Sequence, residues 1–531
     1  MKRSPKAIIA YAWLLLFPCT LLAQDENYWQ QEVHYTIKVS LNDSDHTLTG
    51  NWQLTYSNNS PDTLSFLWMH LWPNAYQNDQ TGFAKQLRSD KADYNKYRKV
   101  ALGFIDQLLF TSGGTPLILI PHPQYNDIVK LMLPQPLLPG KTISMETPFR
   151  VKLPGYFSRS GHLAQQYMVC QWYPKPAVYD RKGWHEMPYL DQGEFYSEYG
   201  HFDVSITLPS DYVVAATGTL QNAEELQQYK HVGAENFKQR QSNNRILYSP
   251  VQQGLAKTLR YTADNVHDFA WFADKDFIIQ YDTLQLPNGQ MIDAFTYHQP
   301  DGNKEWQNSI AYLKDAVHHY SDWLGDYPYP VVQAVEGPGN SNSGGMEYPM
   351  ITLITSPEAD SLQLDAVITH EVGHNWFYGI IGSNERTHPW MDEGLNTYYQ
   401  FRYEALKYRS NSIFGGLLPA EFKKLSIDDF LRRIYLALNN IPAKAPVNTP
   451  SADFPNKEDY ANVVYLKTAI WFFIMEQSLG KEDLDAAMKN YYREWKFRHP
   501  YPEDLKRSLE HSIGKKLDEL FKMLQQQGNF K

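Results

Sequence analysis

Cysteine is almost missing from this sequence: the 531 residues hold two, Cys19 and Cys170. Cys19 falls in a leader-like segment, so an internal disulfide framework is excluded and stability must come from apolar cores. Cations are in deficit as well, with 49 Lys and Arg against 59 Asp and Glu and a formal net charge of -10. No basic run interleaved with aromatics offsets that deficit, so a nucleic-acid partner is not expected. Internal repeats, heptads and low-complexity tracts are absent too, which excludes solenoids and fibres. What the chain does have is 43% hydrophobic and 14% aromatic residues, enough for large cores and two or three domains.

The first 23 residues, MKRSPKAIIAYAWLLLFPCTLLA, begin with Lys2, Arg3 and Lys6, continue through an apolar run from Ala7 to Phe17, and reach a small residue at Ala23. This is the pattern of a secretory signal peptide, too short to span a bilayer comfortably, with cleavage expected after Ala23. The alternative is an uncleaved membrane anchor. Pro18 before Cys19 is a poor fit to a lipoprotein cleavage site. Cleavage would lower the net charge from -10 to -13 and leave Cys170 alone. The expectation is an exported protein, periplasmic or secreted, with no stable membrane span.

Two textures follow. Over 24–262, short alternating runs such as VHYTIKVSL and FDVSITLP, separated by Asn, Asp, Ser, Gly and Pro, predict an antiparallel β domain. A polar stretch, QNAEELQQYKHVGAENFKQRQSNN, reads as a surface excursion from it. Over 263–531 helical periodicity takes over, as in NKEWQNSIAYLKDAVHHYSDWLG. His318 and His319 on that helix read as surface or next-layer residues.

The segment ITHEVGHNWF carries the chemistry. Ser356-Pro357-Glu358 is a helix-start signal and Gly382 a natural stop, which puts His370 and His374 at i and i+4 on one face. Two imidazoles so placed can share one zinc ion, and Glu371 can reach water at that ion. A third protein ligand is needed. The metzincin pattern wants a His six residues after His374, where Ile380 stands. The other common solution is a carboxylate from the next helix, and Glu393 follows with eighteen residues between it and His374. Asp392 is its neighbouring alternative, and the spacing favours Glu393.

With His370-Glu371-x-x-His374, Glu393, GGMEYP upstream and VVYLKTA downstream, the sequence resembles the aminopeptidase N family of zinc metallopeptidases, gluzincins that include the leukotriene hydrolases. The resemblance implies a saddle-like N-terminal β domain and an α+β, mainly helical thermolysin-like catalytic domain. It also implies one zinc ion on His370, His374 and Glu393, with Glu371 as general base and Tyr465 as oxyanion donor. Tyr460 is the fallback for Tyr465. The segment Gly344, Gly345, Met346 and Glu347 would hold the substrate, Glu347 taking the amino terminus. Gln171 of the β domain is similar to the residue the family sends into the first-residue pocket. The family pattern has Asn where Tyr348 stands and Gly where Thr468 stands. Many members continue into a large helical domain that covers the cleft. The sequence ends at Lys531, so an open cleft is expected. The implied activity is hydrolysis of the first peptide bond of peptides, with zinc endopeptidase activity or non-catalytic peptide binding as alternatives.

Overall fold

The computed structural model describes residues 28–240, 245–251, 254–339 and 344–531, so the expected signal segment and its cleavage point lie outside the described residues. Among the described residues no helix is long and apolar enough to cross a membrane.

The N-terminal part is built from strands whose side chains alternate between core and solvent. EVHYTIKVSLN, over Glu32–Asn42, buries every second residue, and the same period recurs in Thr47–Asn58, Lys141–Lys152 and Gly200–Pro209. Period-two burial is what one covered face of a pleated sheet requires. These strands join a nine-stranded sheet that is antiparallel except where Glu32–Asn42 runs parallel to Gly200–Pro209. Two four-stranded sheets, one through Gln166–Val169 and Trp271–Asp274, the other through Leu64–His70 and Ile128–Leu137, and a two-stranded sheet of Tyr179–Asp180 and Gly183–Trp184 complete the β part.

Two expectations are corrected here. The polar stretch after Leu220 is not a loose excursion: Ala223–Lys238 is a helix whose Tyr229 and Val232 are buried. The Tyr229 hydroxyl accepts from Val214 N at 2.9 Å, pinning the helix to the β domain. The boundary at 262/263 also falls inside the strand Ala256–Val266. The next strand, Trp271–Asp274, still pairs within the β part, and the second sheet starts at Ile278. The expected border was early because the catalytic part opens with strands of its own.

That second part begins with a five-stranded sheet ordered Ile278–Gln285, Met291–His298, Val331–Glu336, Ile351–Ile354 and Gly345–Tyr348. Gly345–Tyr348 is therefore an edge strand. Helices Ser309–Trp323 and Ser361–Gly373 pack together beside the sheet, and Glu393–Tyr408, Thr468–Leu479, Lys481–Trp495 and Pro502–Ile513 follow. Gln333 Nε2 donates to Ala216 O at 2.7 Å, one of several buried contacts joining the two parts.

Candidate metal centre

The helix carrying the HEVGH segment begins at Ser361, five residues beyond Ser356, because Asp360 and Gln363 form a reciprocal cap. Gln363 N donates to Asp360 Oδ1 at 2.9 Å, and Asp360 N donates to Gln363 Oε1 at 3.0 Å. The helix ends at Gly373, well before Gly382, and His374 is its C-cap, with backbone still in the right-handed helical region and its N–H on His370 O. Gly373 is where the next helix crosses: a Cβ there would lie 2.0 Å from Asn396 Oδ1 and 2.4 Å from the Tyr320 hydroxyl. Asn396 Nδ2 uses that closeness to donate to His370 O at 2.7 Å, fixing the helix Glu393–Tyr408 against the histidines. Glycine at this position lets Glu393 reach the site.

His370 Nε2 and His374 Nε2 lie 3.1 Å apart, and Glu393 Oε2 is 3.2 Å from the first and 3.3 Å from the second. The opposite ring nitrogens face acceptors: His374 Nδ1 is 2.6 Å from Asp392 Oδ1, and His370 Nδ1 is 2.9 Å from Gln400 Oε1. Gln400 Nε2 donates to Glu404 Oε1 at 2.7 Å, which turns the amide carbonyl toward His370. Both Nδ1 atoms are thus donors, and both Nε2 atoms present lone pairs. Three lone-pair ligands this close repel one another unless a cation lies among them. A tetrahedron with metal–ligand bonds of about 2.0 Å has edges of about 3.3 Å, so the donor set fits one zinc ion. Asp392, the alternative ligand, is occupied in orienting His374, the usual outer partner of a ligating imidazole.

Glu371 stands beside this triad, buried, with Oε2 free of protein partners among the described residues. Burial, with the nearby charge of Glu393 and against the opposing pull of His374, pushes its carboxyl up to about 8. A Cβ on Gly345 would lie 2.4 Å from Glu371 Oε1, so the glycine makes room for this carboxylate as well as for a ligand. Tyr465 lies on a π-helical turn over Ala461–Lys467, and its hydroxyl donates to Glu393 Oε1 at 2.6 Å. Widened turns of this kind recur at functional sites.

The triad opens into a cleft of about 670 Å³, within the range of ligand sites. Gly344, Gly345, Met346, Glu347, Glu371, Tyr460 and Tyr465 all line it, so nearly every residue expected at the site is brought together. Glu347 is 7% exposed, and burial followed by the Glu194 charge raises its carboxyl pKa well above the usual range.

Gln171 is the exception. Its backbone takes a left-handed turn at φ 49°, its Nε2 points to Asp268 Oδ2 at 3.4 Å, and it does not line the cleft. Asp268 is itself paired with buried Lys175 at 2.8 Å, so Gln171 belongs to a core network of the β domain. The β domain instead reaches the cleft through Ser158, Arg159 and residues 191–194. Arg159 Nε donates to Glu194 Oε2 at 3.0 Å and its Nη atoms donate to Leu190 O and Asp191 O, which holds that loop in place. No spacing pattern announced Arg159 or Glu194. Gln400 was findable, being two helical turns after Glu393 on the same face. His318 is exposed and His319 packs on Trp323 and Tyr403, away from the cleft.

Residues 311–524 match the model of the peptidase family M1 domain. Puromycin-sensitive aminopeptidase of Caenorhabditis elegans is 21% identical over 297 residues, covering 54% of this chain and 30% of that protein. A leukotriene A-4 hydrolase homolog of Botryotinia fuckeliana is 26% identical over 192 residues, 34% of this chain and 28% of that one. The chain thus spans less than a third of the length of these curated relatives. Among solved structures, an M1 zinc metallopeptidase from Deinococcus radiodurans superposes with a TM-score of 0.58 at 15% identity, over 94% of this chain and 93% of that one. Aminopeptidase A of Legionella pneumophila gives 0.63 at 15%, over 94% of this chain and 50% of the other. The two-part fold and the converging His370, His374 and Glu393 agree with the matched segment: residues 311–524 form a peptidase family M1 domain, and the chain is similar to the zinc metallopeptidases of the aminopeptidase N family.

Proposed function

We propose that the protein is a zinc aminopeptidase that hydrolyses the first peptide bond of peptides with a free amino terminus. The observation that carries this reading is the position of Glu347. It is a buried carboxylate on an edge strand, two residues along from Gly345, which touches the Glu371 carboxylate. An extended peptide adding to that edge would set its ammonium at Glu347 and its first carbonyl carbon two bonds, about 2.5 Å, from that nitrogen. Carboxylate oxygens of Glu347 and Glu371 and a ring nitrogen of His374 lie within 4.8 Å of one another, so that carbonyl falls beside the triad. A Tyr-Ser-Ala substrate bound to the Deinococcus radiodurans M1 metallopeptidase supports a peptide as the substrate class.

Zinc held by His370, His374 and Glu393 would supply a Lewis acid that polarises a carbonyl and acidifies water. Glu371 takes the proton of the attacking water and later delivers it to the leaving amine. Tyr465 donates its hydroxyl to the oxygen on which negative charge develops. Asp392 and Gln400 hold the two imidazoles in the tautomer that leaves Nε2 unprotonated. Glu347 anchors the ammonium and so chooses the bond that is cut. Export with loss of residues 1–23, into the periplasm or beyond, is part of the same reading; amino-terminal sequencing of protein from fractionated cells tests it.

The functional test is mass spectrometry of a mixed peptide pool, half of it acetylated at the amino end. The reading expects stepwise loss of single amino-terminal residues from the free peptides only, stopped by a chelator. Equal cutting of the acetylated half would favour the endopeptidase alternative.

A further inference from the structure

Restriction to the first bond needs a barrier as well as an anchor, because an ammonium site does not by itself exclude a chain that continues past it. We propose that the amino-terminal end of the cleft is shut by a seam between the β domain and the catalytic domain, locked by Lys457, and that this seam limits the enzyme to exopeptidase action. The inference deepens the aminopeptidase reading and rests on it.

Two loops meet at the seam. From the β domain come residues 190–194, held by Arg159. From the catalytic domain comes the stretch around Ser451, itself fixed by Ser451 N donating to Arg386 O at 2.9 Å and Ser451 Oγ donating to Glu385 O at 2.7 Å. Gln192 Nε2 donates across the seam to Ser451 O at 2.7 Å, and Arg386 Nη1 donates back to Gln192 O at 3.3 Å. The Gly193 backbone packs directly on the Ser451 side chain: a Cβ on Gly193, whose φ is +87°, would lie 2.4 Å from Ser451 Cβ. No peptide can thread between them.

Lys457 bolts the two sides together. Its Nζ donates to Asp191 Oδ2 of the loop at 2.8 Å and to Asp93 Oδ2 of the helix Lys91–Tyr97 at 2.7 Å. One catalytic-domain cation thus ties two separate β-domain elements.

The seam lies on the side where a longer substrate would have to extend. Asp191, Gln192, Gly193, Glu194 and Lys457 line the same cleft as the triad. Glu194, at the end of the loop, is the charge that acts most strongly on Glu347, ahead of Glu371 and Glu393. A residue preceding the anchored one would need about 3.3 Å more of extended chain beyond Glu347, toward the closed loops. At the Gly344 end of the edge strand the cleft is lined by Val367 and Ile413, and Ile413 is 51% exposed, so among the described residues this is the side open to the remainder of the peptide.

The test compares kcat/KM for one peptide, free and N-acetylated, in the parent, Lys457→Met and Asp93→Asn. The parent should cut the acetylated form at least about 100-fold more slowly than the free form. Lys457→Met should narrow that ratio at least about tenfold, with new internal cleavages visible by mass spectrometry. Asp93→Asn removes one bridge from a residue outside the cleft; it should narrow the ratio about threefold and leave hydrolysis of a single-residue chromogenic amide within about twofold of the parent. If both variants hydrolyse free peptides and keep the parent ratio, the seam proposal fails while the aminopeptidase reading stands; Asp93→Asn decides this even where Lys457→Met does not fold. A parent that cuts single-residue amides but treats both peptide forms alike also overturns the seam. A parent inactive on every free-amine substrate overturns both readings.

Discussion

Asp392 Oδ1 lies 2.6 Å from His374 Nδ1, with both side chains buried. Of two adjacent acids at the start of one helix, Glu393 turns to the metal side of the imidazoles and Asp392 to the back of one of them. The two have different jobs, and their removal has different consequences.

Replacing Asp392 with Ala should leave the three ligands in place and weaken zinc binding about 10–100-fold. Competition against a chelator of known affinity measures this. Replacing Glu393 with Ala removes a ligand, so its loss of zinc should be larger than that of Asp392→Ala.

Glu371→Gln should lower kcat about 100-fold or more while the protein still binds one zinc. Its pH profile supplies the sign. The Glu371 carboxyl is pushed up to about 8 by burial and by Glu393 in the metal-free site. A base must be deprotonated, so activity falls as pH drops through its pKa, and the charge of bound zinc draws that pKa below 8. The parent should therefore show an acidic limb below pH 8 that the Glu371→Gln variant lacks.

Tyr465→Phe should cut kcat by about 10–1,000-fold with little change in KM, since the hydroxyl matters when charge develops on the substrate oxygen. A change confined to KM would contradict the role given to Tyr465. Single-turnover kinetics separates the two outcomes.

The domain interface offers a stability test away from the cleft. His499 is buried, with Nδ1 2.7 Å from Gly382 O and Nε2 3.1 Å from Glu198 Oε2. Burial works against its charge, but the Glu198 carboxylate and the Gly382 carbonyl outweigh it and hold the imidazole pKa above its ordinary value. Burial pushes Glu198 upward too, so the pair is bound by a single shared proton, and the two acceptors around His499 favour the imidazolium. A raised folded pKa gives stability that is complete below about pH 6.5 and lost as pH rises through the folded value. His499→Ala should therefore destabilise the protein by about 3 kcal/mol near pH 6, and by less in alkaline buffer. Denaturant melts at the two pH values check this.

Much of this arrangement is legible in the sequence. The i, i+4 histidines are a local fact of helix geometry, the eighteen-residue gap to Glu393 is a motif spacing that the family resemblance supports, and period-two polarity marks the long strands. The residues that escaped detection are those whose roles depend on distant chain segments. Glu194 and Arg159 meet the cleft through a loop with no periodicity, and Gln171 is turned away by a left-handed backbone that its sequence context does not signal. The helix Ala223–Lys238 is masked by its polarity, because only a few of its side chains are buried, and these pack on the strand Ile278–Gln285 as well as on the β domain. Gly345, expected to help hold the substrate, also leaves room for a carboxylate oxygen of Glu371.

The central claim is that one zinc ion on His370, His374 and Glu393 drives release of the first residue of a peptide. It is tested most directly by titrating zinc into the metal-free protein while following that release. The rate should rise linearly and break at one equivalent, and His374→Ala should abolish both the tight binding and the rise. Full activity in the metal-free protein, or a rise that needs a second equivalent, would contradict it.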